Sequence, residues 1–331
     1  YMYEPLQRVP GVVVLHDLMW SHVLYTACHA RGELAEFRRQ VAELEGQDAL
    51  ESLVAIEERA TRDLVSAHRQ LWTFLSEHPM LTKVIEGSLA QVVHFESARE
   101  ELESRYPGSA VRVVPMGVRG PRLPPHPLRA ADTRLRLGLG LSTFVIGVFG
   151  IVHPVKRVES CVRAVSRLLP DHPDTVLLVV GEALDPGYQR DLVTLASDLG
   201  ALPHVRFAGY VPKPEFDSQL ECCDVIVNLR APLTKHMSAT LVRALAAARP
   251  LVVTELPDWQ FLPPDVCLQV PTGETEVDVL TRHLAALADD PELRARLSAA
   301  AFDYYRAEAS IERMAEGYRE VIADFPAGRA P

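Results

Sequence analysis

One stretch of sequence, residues 225–254, constrains the fold of this chain more than any other. It contains an apolar strand pattern at 225–230, a polar loop, a helical segment that begins at Ser238, and a second apolar strand pattern at 250–254. Serine is favoured at helix N-termini, where its hydroxyl accepts a hydrogen bond from a free backbone N–H. A helix that follows a strand points its free N–H groups and its positive dipole end at whatever lies above the sheet edge. The stretch therefore predicts an anion site at the start of this helix.

The loop before this helix is basic, although the chain as a whole is acidic. The loop contains Arg230, Lys235 and His236 and no acidic residue, whereas the formal net charge of the chain is −10. A phosphorylated ligand is the class that fits such a loop best. The acidic background argues against broad nucleic-acid binding, which requires a basic face.

Length and composition are those of a globular protein with two domains. The chain has 331 residues, enough for about two domains of ~150 residues each. No apolar run approaches the ~20 residues that a membrane-spanning helix needs. The five cysteines lack the paired spacing of a metal site or a disulfide framework. We therefore expect reduced thiols and a cytoplasmic protein.

The second half of the chain alternates apolar strands with amphipathic helices. This pattern is typical of a parallel sheet covered by helices on both faces. The predicted strands lie at 144–149, 175–180, 205–207, 225–230, 250–254 and 266–270, and the predicted helices lie near 158–169, 188–198 and 214–221. Ligands of such folds bind at the carboxyl ends of the strands.

The first half has the same kind of elements but fewer of them. Three strand patterns lie at 11–15, 90–95 and 111–114, and a long helical region lies at 23–77. Three strands make a thin doubly wound domain, so we interpret this half as lacking its first one or two βα units. A proline-rich segment at 117–133 separates the halves.

Six short motifs, in the same order along the chain, resemble those of one enzyme family. They are the strand that ends in His16-Asp17, the strand–Ser97–helix unit, the turn Pro115-Met116-Gly117-Val118, the loop from Gly150 to Arg157, the turn Gly209-Tyr210-Val211, and the helix end and strand from Leu245 to Val253. The family is family 4 of the retaining glycosyltransferases, which use nucleotide-diphosphate sugars.

The resemblance implies an α/β fold of the GT-B type. This fold has two Rossmann-like, doubly wound, parallel-sheet domains that face a cleft, the N-terminal one being truncated in this chain. We expect an N-terminal acceptor domain at 1–125, a C-terminal donor domain at 126–308, and a final helix at 309–331 that crosses back to the N-terminal domain.

The resemblance also implies an activity, which is transfer of a sugar to an acceptor hydroxyl with retention of configuration. The partners would be a nucleotide-sugar donor and a glycan, lipid or small-molecule acceptor, with peripheral membrane contact in the lipid case. Neither a cofactor nor a metal is implied, and the sequence has no Asp-x-Asp motif.

Particular residues receive roles from the resemblance and from the loop chemistry. His16 would lie near the donor sugar as the catalytic candidate; the alternative is a strand-end histidine with a structural hydrogen bond. The expected donor and phosphate site consists of Gly150, Lys156, Arg230, Lys235, His236, Ser238 and Arg243, and the nucleotide side consists of Glu182, Gly209 and Tyr210. For Arg243 we favour a structural pairing with an acid, and Lys156 is preferred to its neighbour Arg157.

The chain departs from the family pattern at four positions. Bases, Lys235 and Arg243, stand where the family has its paired glutamates, Ile151 stands where it has an arginine, and Ala248 stands where it has a glycine. These departures leave two alternatives to a transferase. One is a non-catalytic GT-B protein that binds nucleotide sugars, and the other is a GT-B epimerase or phosphorylase.

Overall fold

The computed structural model describes residues 3–60, 64–120, 127–231, 237–256 and 262–325, which form two compact units. The first unit comprises Tyr1–Val114, Thr234–Met237 and Tyr318–Pro331, and the second comprises Pro115–Leu233 and Ser238–Gly317. The domain boundary expected near residue 125 falls within 121–126, outside the described residues.

The first unit is built on a small parallel sheet of three strands in the order β1-β2-β3. The strands are β1 (Val12–Val14), β2 (Ala90–Val93) and β3 (Val111–Val113). All three predicted strands are therefore present, and their parallel pairing brings their carboxyl ends to one edge of the sheet.

Helices make up most of the rest of the first unit. Their bounds are α1 (Tyr3–Arg8), α2 (Trp20–Arg31), α3 (Leu34–Leu44), α4 (Gln47–Ala60), α5 (Leu64–Glu77), α6 (Thr82–Glu86) and α7 (Glu96–Arg105). The long helical region predicted at 23–77 is thus four helices. Apolar residues of these helices, among them Phe37, Val41 and Leu53, form a separate hydrophobic cluster.

The second unit has a parallel sheet of six strands in the order β6-β5-β4-β7-β8-β9. Its strands are β4 (Phe144–Phe149), β5 (Thr175–Val180), β6 (Val205–Gly209), β7 (Val225–Asn228), β8 (Leu251–Thr254) and β9 (Cys267–Val270). The chain proceeds outward from β4 to β6 and then returns to the other side of β4. In a doubly wound sheet, ligands bind at this switch point, which here lies between the carboxyl ends of β4 and β7.

Helices pack against this sheet. Their bounds are α8 (Pro127–Arg136), α9 (Val158–Leu168), α10 (Pro186–Asp198), α11 (Lys213–Glu221), α12 (Ala239–Ala246), α13 (Glu276–Asp289), α14 (Pro291–Glu308) and α15 (Ile311–Ala323), the last of which runs on into the first unit. Every residue of β4 and β5 is buried, as the continuous apolar runs predicted. All five cysteines are free thiols and buried. No described helix is long and apolar enough to cross a membrane.

Helix α12 ends in a strained conformation. The backbone N–H of Arg249 donates to the carbonyl of Ala244, which closes the helix through Ala248 in the left-handed region, at φ 51°. Glycine is the usual residue at this position because a Cβ disfavours that conformation by about 1–2 kcal/mol.

Ala248→Gly should therefore raise the free energy of unfolding by about 1 kcal/mol, because it removes this strain. The matched control is Ala247→Gly at the preceding alanine, where φ is −85°; that change should lower stability by about 0.5–1 kcal/mol. Urea unfolding of both variants measures the difference. A loss of stability in Ala248→Gly as large as that in the control would contradict the strain.

Candidate functional site

The loop that follows β4 approaches the start of α12 at the switch point of the second sheet. Gly150 has φ +99°, and a Cβ built on it would lie 3.3 Å from Thr240 Oγ1 and 3.4 Å from Lys156 Nζ. Gly181, after β5, has φ +149°, and a Cβ there would overlap the carbonyl oxygen of Gly150. Gly181 therefore permits a close approach of the two loop backbones. Gly150 lies beside side chains of both Lys156 and α12, which meet on the same side of the sheet edge.

Lys156 holds a half-buried ammonium in this loop. A short 3-10 turn at Pro154–Lys156 carries it, and its Nζ donates to the carbonyl of Phe149 at 3.4 Å. Burial, and secondarily the nearby charge of Arg230, lowers the pKa of Lys156 to about 7. Within the described part of the chain, no carboxylate pairs with this ammonium. An anion is the partner that such a group lacks.

The N-terminus of α12 faces the same place. Ser238 is its N-cap, as predicted, and its hydroxyl accepts a hydrogen bond from the N–H of Leu241 at 3.3 Å. The Ser238 hydroxyl in turn donates to Asn228 Oδ1 at 3.4 Å. Ser238 is buried, but Ala239 beside it is exposed, so described residues do not cover the first turn of the helix.

Asn228, the last residue of β7, adds an unused donor. Its side chain is 2% exposed, and its Nδ2 has no hydrogen-bond partner among the described residues. A buried amide donor without a partner is costly. Together with the helix N-terminus and Lys156, it makes a set of donors and positive charge that suits a phosphate oxygen.

Arg230 lies two residues beyond β7 and is 7% exposed. Its backbone N–H donates to Thr254 Oγ1 at 2.7 Å, and the next N–H, of Ala231, donates to the carbonyl of Val155 at 3.0 Å. The loop after β7 is thus fixed to the turn that carries Lys156. This explains why the two cations lie close enough for one to lower the pKa of the other.

An ion pair that was not predicted from the sequence fixes the other end of the lysine turn. The backbone of Arg157 is in the left-handed region, at φ 53°. Its guanidinium donates a hydrogen bond from Nη2 to Glu276 Oε1 at 2.9 Å. Glu276 is 1% exposed and also accepts a hydrogen bond from the Ser160 hydroxyl. Arg157 is thus engaged by Glu276, whereas no described carboxylate pairs with Lys156. The partner of Arg157 lies 119 positions along the chain, beyond any local sequence signal.

Arg243 does not join this group of residues. Its guanidinium pairs with Asp217 of α11 at 2.9 Å and lies 5.9 Å from the ring centre of Phe216. The structural pairing that we favoured from the sequence is therefore present, and the assignment of Arg243 to the phosphate group has no support from its contacts.

The remaining candidates of the second unit lie along the same sheet edge or outside the described residues. Glu182 follows β5 and is exposed, and Gly209 ends β6 with its carbonyl accepting the N–H of Gly181 at 2.9 Å. Tyr210 is 75% exposed. Lys235 and His236 lie outside the described residues.

His16 belongs to the first unit, directly after β1, and is exposed. Its Nδ1 lies 2.8 Å from Nε2 of His94, whose own Nδ1 lies 2.9 Å from the carbonyl oxygen of Val114. His94 follows β2 and is buried. The sequence placed His94 in a family motif but gave it no role.

Two other features of the described residues lie apart from these groups. A cavity of about 440 Å³ lies between α4 and α5 of the first unit, and none of the predicted site residues lines it. The described residues contain no group of three or more histidine, cysteine, aspartate or glutamate side chains that could hold a metal ion.

The second unit matches a known family. Residues 143–299, from β4 through the first half of α14, match the family model described as Glycosyl transferases group 1. This chain resembles the group 1 glycosyltransferases. The resemblance predicted from short motifs is thereby confirmed.

Curated relatives of the chain are also glycosyltransferases. A GDP-mannose-dependent alpha-(1-6)-phosphatidylinositol monomannoside mannosyltransferase of Mycolicibacterium smegmatis is 30% identical over 246 residues, which are 70% of this chain and 62% of the relative. A D-inositol 3-phosphate glycosyltransferase of Corynebacterium jeikeium is 28% identical over 179 residues, 52% of this chain and 42% of the relative. The chain spans less than two thirds of each of these relatives.

Solved structures share the fold at low sequence identity. The Anabaena protein HepE in complex with UDP and glucose gives a TM-score of 0.66 at 17% identity, covering 74% of this chain and 66% of that one. Sucrose-phosphate synthase of Thermosynechococcus elongatus gives 0.63 at 20% identity, covering 82% and 67%. These likenesses show the fold of the chain, and the predicted α/β class of the GT-B type is confirmed.

The ion pair of Arg157 and Glu276 gives a first prediction for the site. Arg157→Ala leaves a buried carboxylate without its cation, so the free energy of unfolding should fall by about 3 kcal/mol in urea titrations. The matched control, Arg167→Ala, removes an exposed pair with Asp278 between α9 and α13, and should cost at most about 1 kcal/mol. Equal losses of unfolding free energy in the two variants would show that the buried pair stabilises the fold no more than the exposed pair does.

The low pKa of Lys156 gives a second prediction for the site. The folded chain holds this pKa near 7, below its ordinary value of 10.5, so the unfolded chain binds more protons between these two values. The stability penalty is complete below about pH 7 and disappears as the pH rises towards about 10.5. Lys156→Met should therefore be more stable than the wild type at about pH 6, and this advantage should shrink as the pH rises. Thermal unfolding at several pH values measures the stability difference between Lys156→Met and the wild type, with Lys213→Met at an exposed lysine as the control. A difference that does not change with pH would refute the prediction.

Proposed function

We propose that the chain binds the diphosphate of a nucleotide sugar at the switch point of its second sheet and transfers the sugar to an acceptor hydroxyl with retention of configuration. One observation carries the proposal: the half-buried Lys156 ammonium lies beside the N-terminus of α12 and Arg230, and no described carboxylate pairs with it. The similarity of the chain to the group 1 glycosyltransferases supports a sugar donor as the source of the anion.

The electrostatics of the site suit a leaving diphosphate. Sugar transfer places negative charge on the bridging oxygen as the glycosidic bond of the donor breaks, and positive groups fixed beforehand stabilise that charge at little cost of reorganisation. Lys156 has a pKa of about 7 without a ligand, and a bound anion raises it because it favours the charged form. Donor binding therefore places a full positive charge on Lys156 at neutral pH.

The nucleotide side must differ from the family pattern. The family holds the ribose with a glutamate at the position of Arg243, and here that arginine is engaged by Asp217. We assign the nucleotide instead to the exposed edge formed by Glu182, Gly209 and Tyr210, where a phenol ring that is 75% exposed can stack on a base.

The first unit supplies the acceptor side in this proposal. Relatives are described as acting on phosphatidylinositol monomannoside and on D-inositol 3-phosphate. We infer an acceptor hydroxyl on a polyol or on a lipid-linked glycan, and a cytoplasmic protein that meets the membrane surface in the lipid case. His16 is the candidate for contact with the sugar.

The departures from the family pattern are the reason to test a second function, a non-catalytic protein that binds nucleotide sugars. Both family glutamates are replaced, and Arg243 is held in a structural pair. Such a protein would keep the phosphate site and lose transfer. Binding alone therefore does not distinguish the two functions, and the test must include turnover.

Titration calorimetry with UDP, GDP and inorganic pyrophosphate tests the phosphate site. Lys156→Ala should weaken binding by about 1–3 kcal/mol, because a charge-assisted contact is lost. Wild-type affinity should fall as the pH rises above about 7, since the unliganded lysine then loses its proton. Lys213→Ala, at a lysine exposed on α11, should bind as the wild type does. An unchanged dissociation constant in Lys156→Ala removes this lysine from the site.

The turnover measurement uses nucleotide sugars with polyol and lipid-linked acceptors and reads the anomeric configuration of the product by NMR. Transfer with retention supports the proposal. Binding without transfer supports the non-catalytic alternative, and a rearranged donor without acceptor supports an epimerase.

A further inference from the structure

A chain of hydrogen bonds crosses the carboxyl edge of the three-stranded sheet. His16 follows β1, His94 follows β2 and Val114 follows β3. The ring nitrogens His16 Nδ1 and His94 Nε2 are 2.8 Å apart, and His94 Nδ1 is 2.9 Å from the carbonyl oxygen of Val114. The backbone aligns the three positions, because the N–H of Leu15 donates to Val92 at 2.8 Å and that of Val114 donates to Val93 at 2.9 Å.

The chemistry of the last acceptor fixes every proton in this chain of bonds. A carbonyl oxygen only accepts, so His94 Nδ1 must carry a proton. In a neutral ring the other nitrogen, His94 Nε2, is then a bare acceptor. His16 Nδ1 must therefore donate to it, which leaves Nε2 of a neutral His16 without a proton.

His94 is neutral under ordinary conditions. Burial lowers the pKa of His94; the hydrogen bond to the Val114 carbonyl opposes this with a smaller effect, and the nearby His16 lowers the pKa slightly further. His94 is 4% exposed, whereas His16 is exposed. The inner ring is thus a fixed acceptor and the outer ring is the one that a ligand can reach.

We propose that His94 is a positioning residue that holds His16 in its Nδ1-protonated tautomer, so that His16 presents an unprotonated Nε2 to its ligand. A nitrogen of this kind accepts a hydrogen bond from a hydroxyl and cannot donate one to a phosphate or carboxylate oxygen. The consequence for catalysis rests on the proposed function: it makes His16 selective for a sugar or polyol hydroxyl, with the phosphate left to the second unit.

The tautomer can be measured directly in the wild-type chain. Labelling with 15N-histidine, at about pH 8, distinguishes protonated from unprotonated ring nitrogens by NMR, and His16→Gln identifies the signals of His16. We expect a protonated Nδ1 and an unprotonated Nε2, the reverse of the form that free neutral imidazole favours. A protonated Nε2 on His16 would overturn the proposal whether or not the chain is a transferase.

Two substitutions of His94 separate positioning from packing. His94→Gln keeps an amide that can donate to the Val114 carbonyl and accept from His16, so the wild-type tautomer should persist. His94→Phe keeps an aromatic ring without an acceptor, so His16 should shift to its Nε2-protonated form. The same His16 tautomer in His94→Phe as in the wild type would refute the role of His94. If His94→Phe does not fold, the wild-type and His94→Gln spectra still decide the matter.

Activity gives the second measurement. With a donor and acceptor that support transfer, kcat should fall about tenfold in His94→Phe and recover in His94→Gln, while the affinity for pyrophosphate stays unchanged in both. If His94 served only to fill space, His94→Gln would not restore kcat. If the spectra are as expected but the wild type transfers no sugar, the proposed function fails and the positioning of His16 stands.

Discussion

The half-buried ammonium of Lys156 is the constraint on which the second unit depends. It is placed where burial lowers its pKa to about 7 and no described carboxylate offsets the cost. Charges are tolerated in such places when a ligand completes them. The Arg157–Glu276 pair fixes the turn that carries the lysine, and Asn228 adds a buried amide donor that no described residue uses.

Two left-handed residues show how the chain handles strain near this site. They are Arg157 and Ala248, with φ of 53° and 51°, a conformation that glycine adopts without strain. At Arg157 the side chain makes a buried ion pair with Glu276, which offsets the backbone cost and immobilises the lysine turn. The methyl group of Ala248 forms no polar bond, so the strain there is a net loss of stability.

In both units, polar groups from distant parts of the chain meet at the carboxyl edge of a parallel sheet. Parallel strands bring residues that are distant in sequence to one edge, whichever side chains they carry. In the second unit this edge collects positive charge and donors around Lys156. In the first unit it aligns His16, His94 and Val114, and the carbonyl at the end of this series determines which nitrogen of the outermost ring is bare. One edge suits an anion and the other suits a hydroxyl.

The sequence by itself determined the strands, the helix that Ser238 caps and the basic character of the loop, because these follow from local periodicity, capping and composition. It also predicted that Lys156 belongs to a phosphate site, because the order of the family motifs is kept where single residues differ. Only the tertiary structure decided that Arg243 pairs with Asp217, that Glu276 pairs with Arg157 and that His94 lies within hydrogen-bonding distance of His16. Each of these choices depends on a partner far along the chain, and a local pattern carries no information about which distant side chain the fold brings within hydrogen-bonding distance.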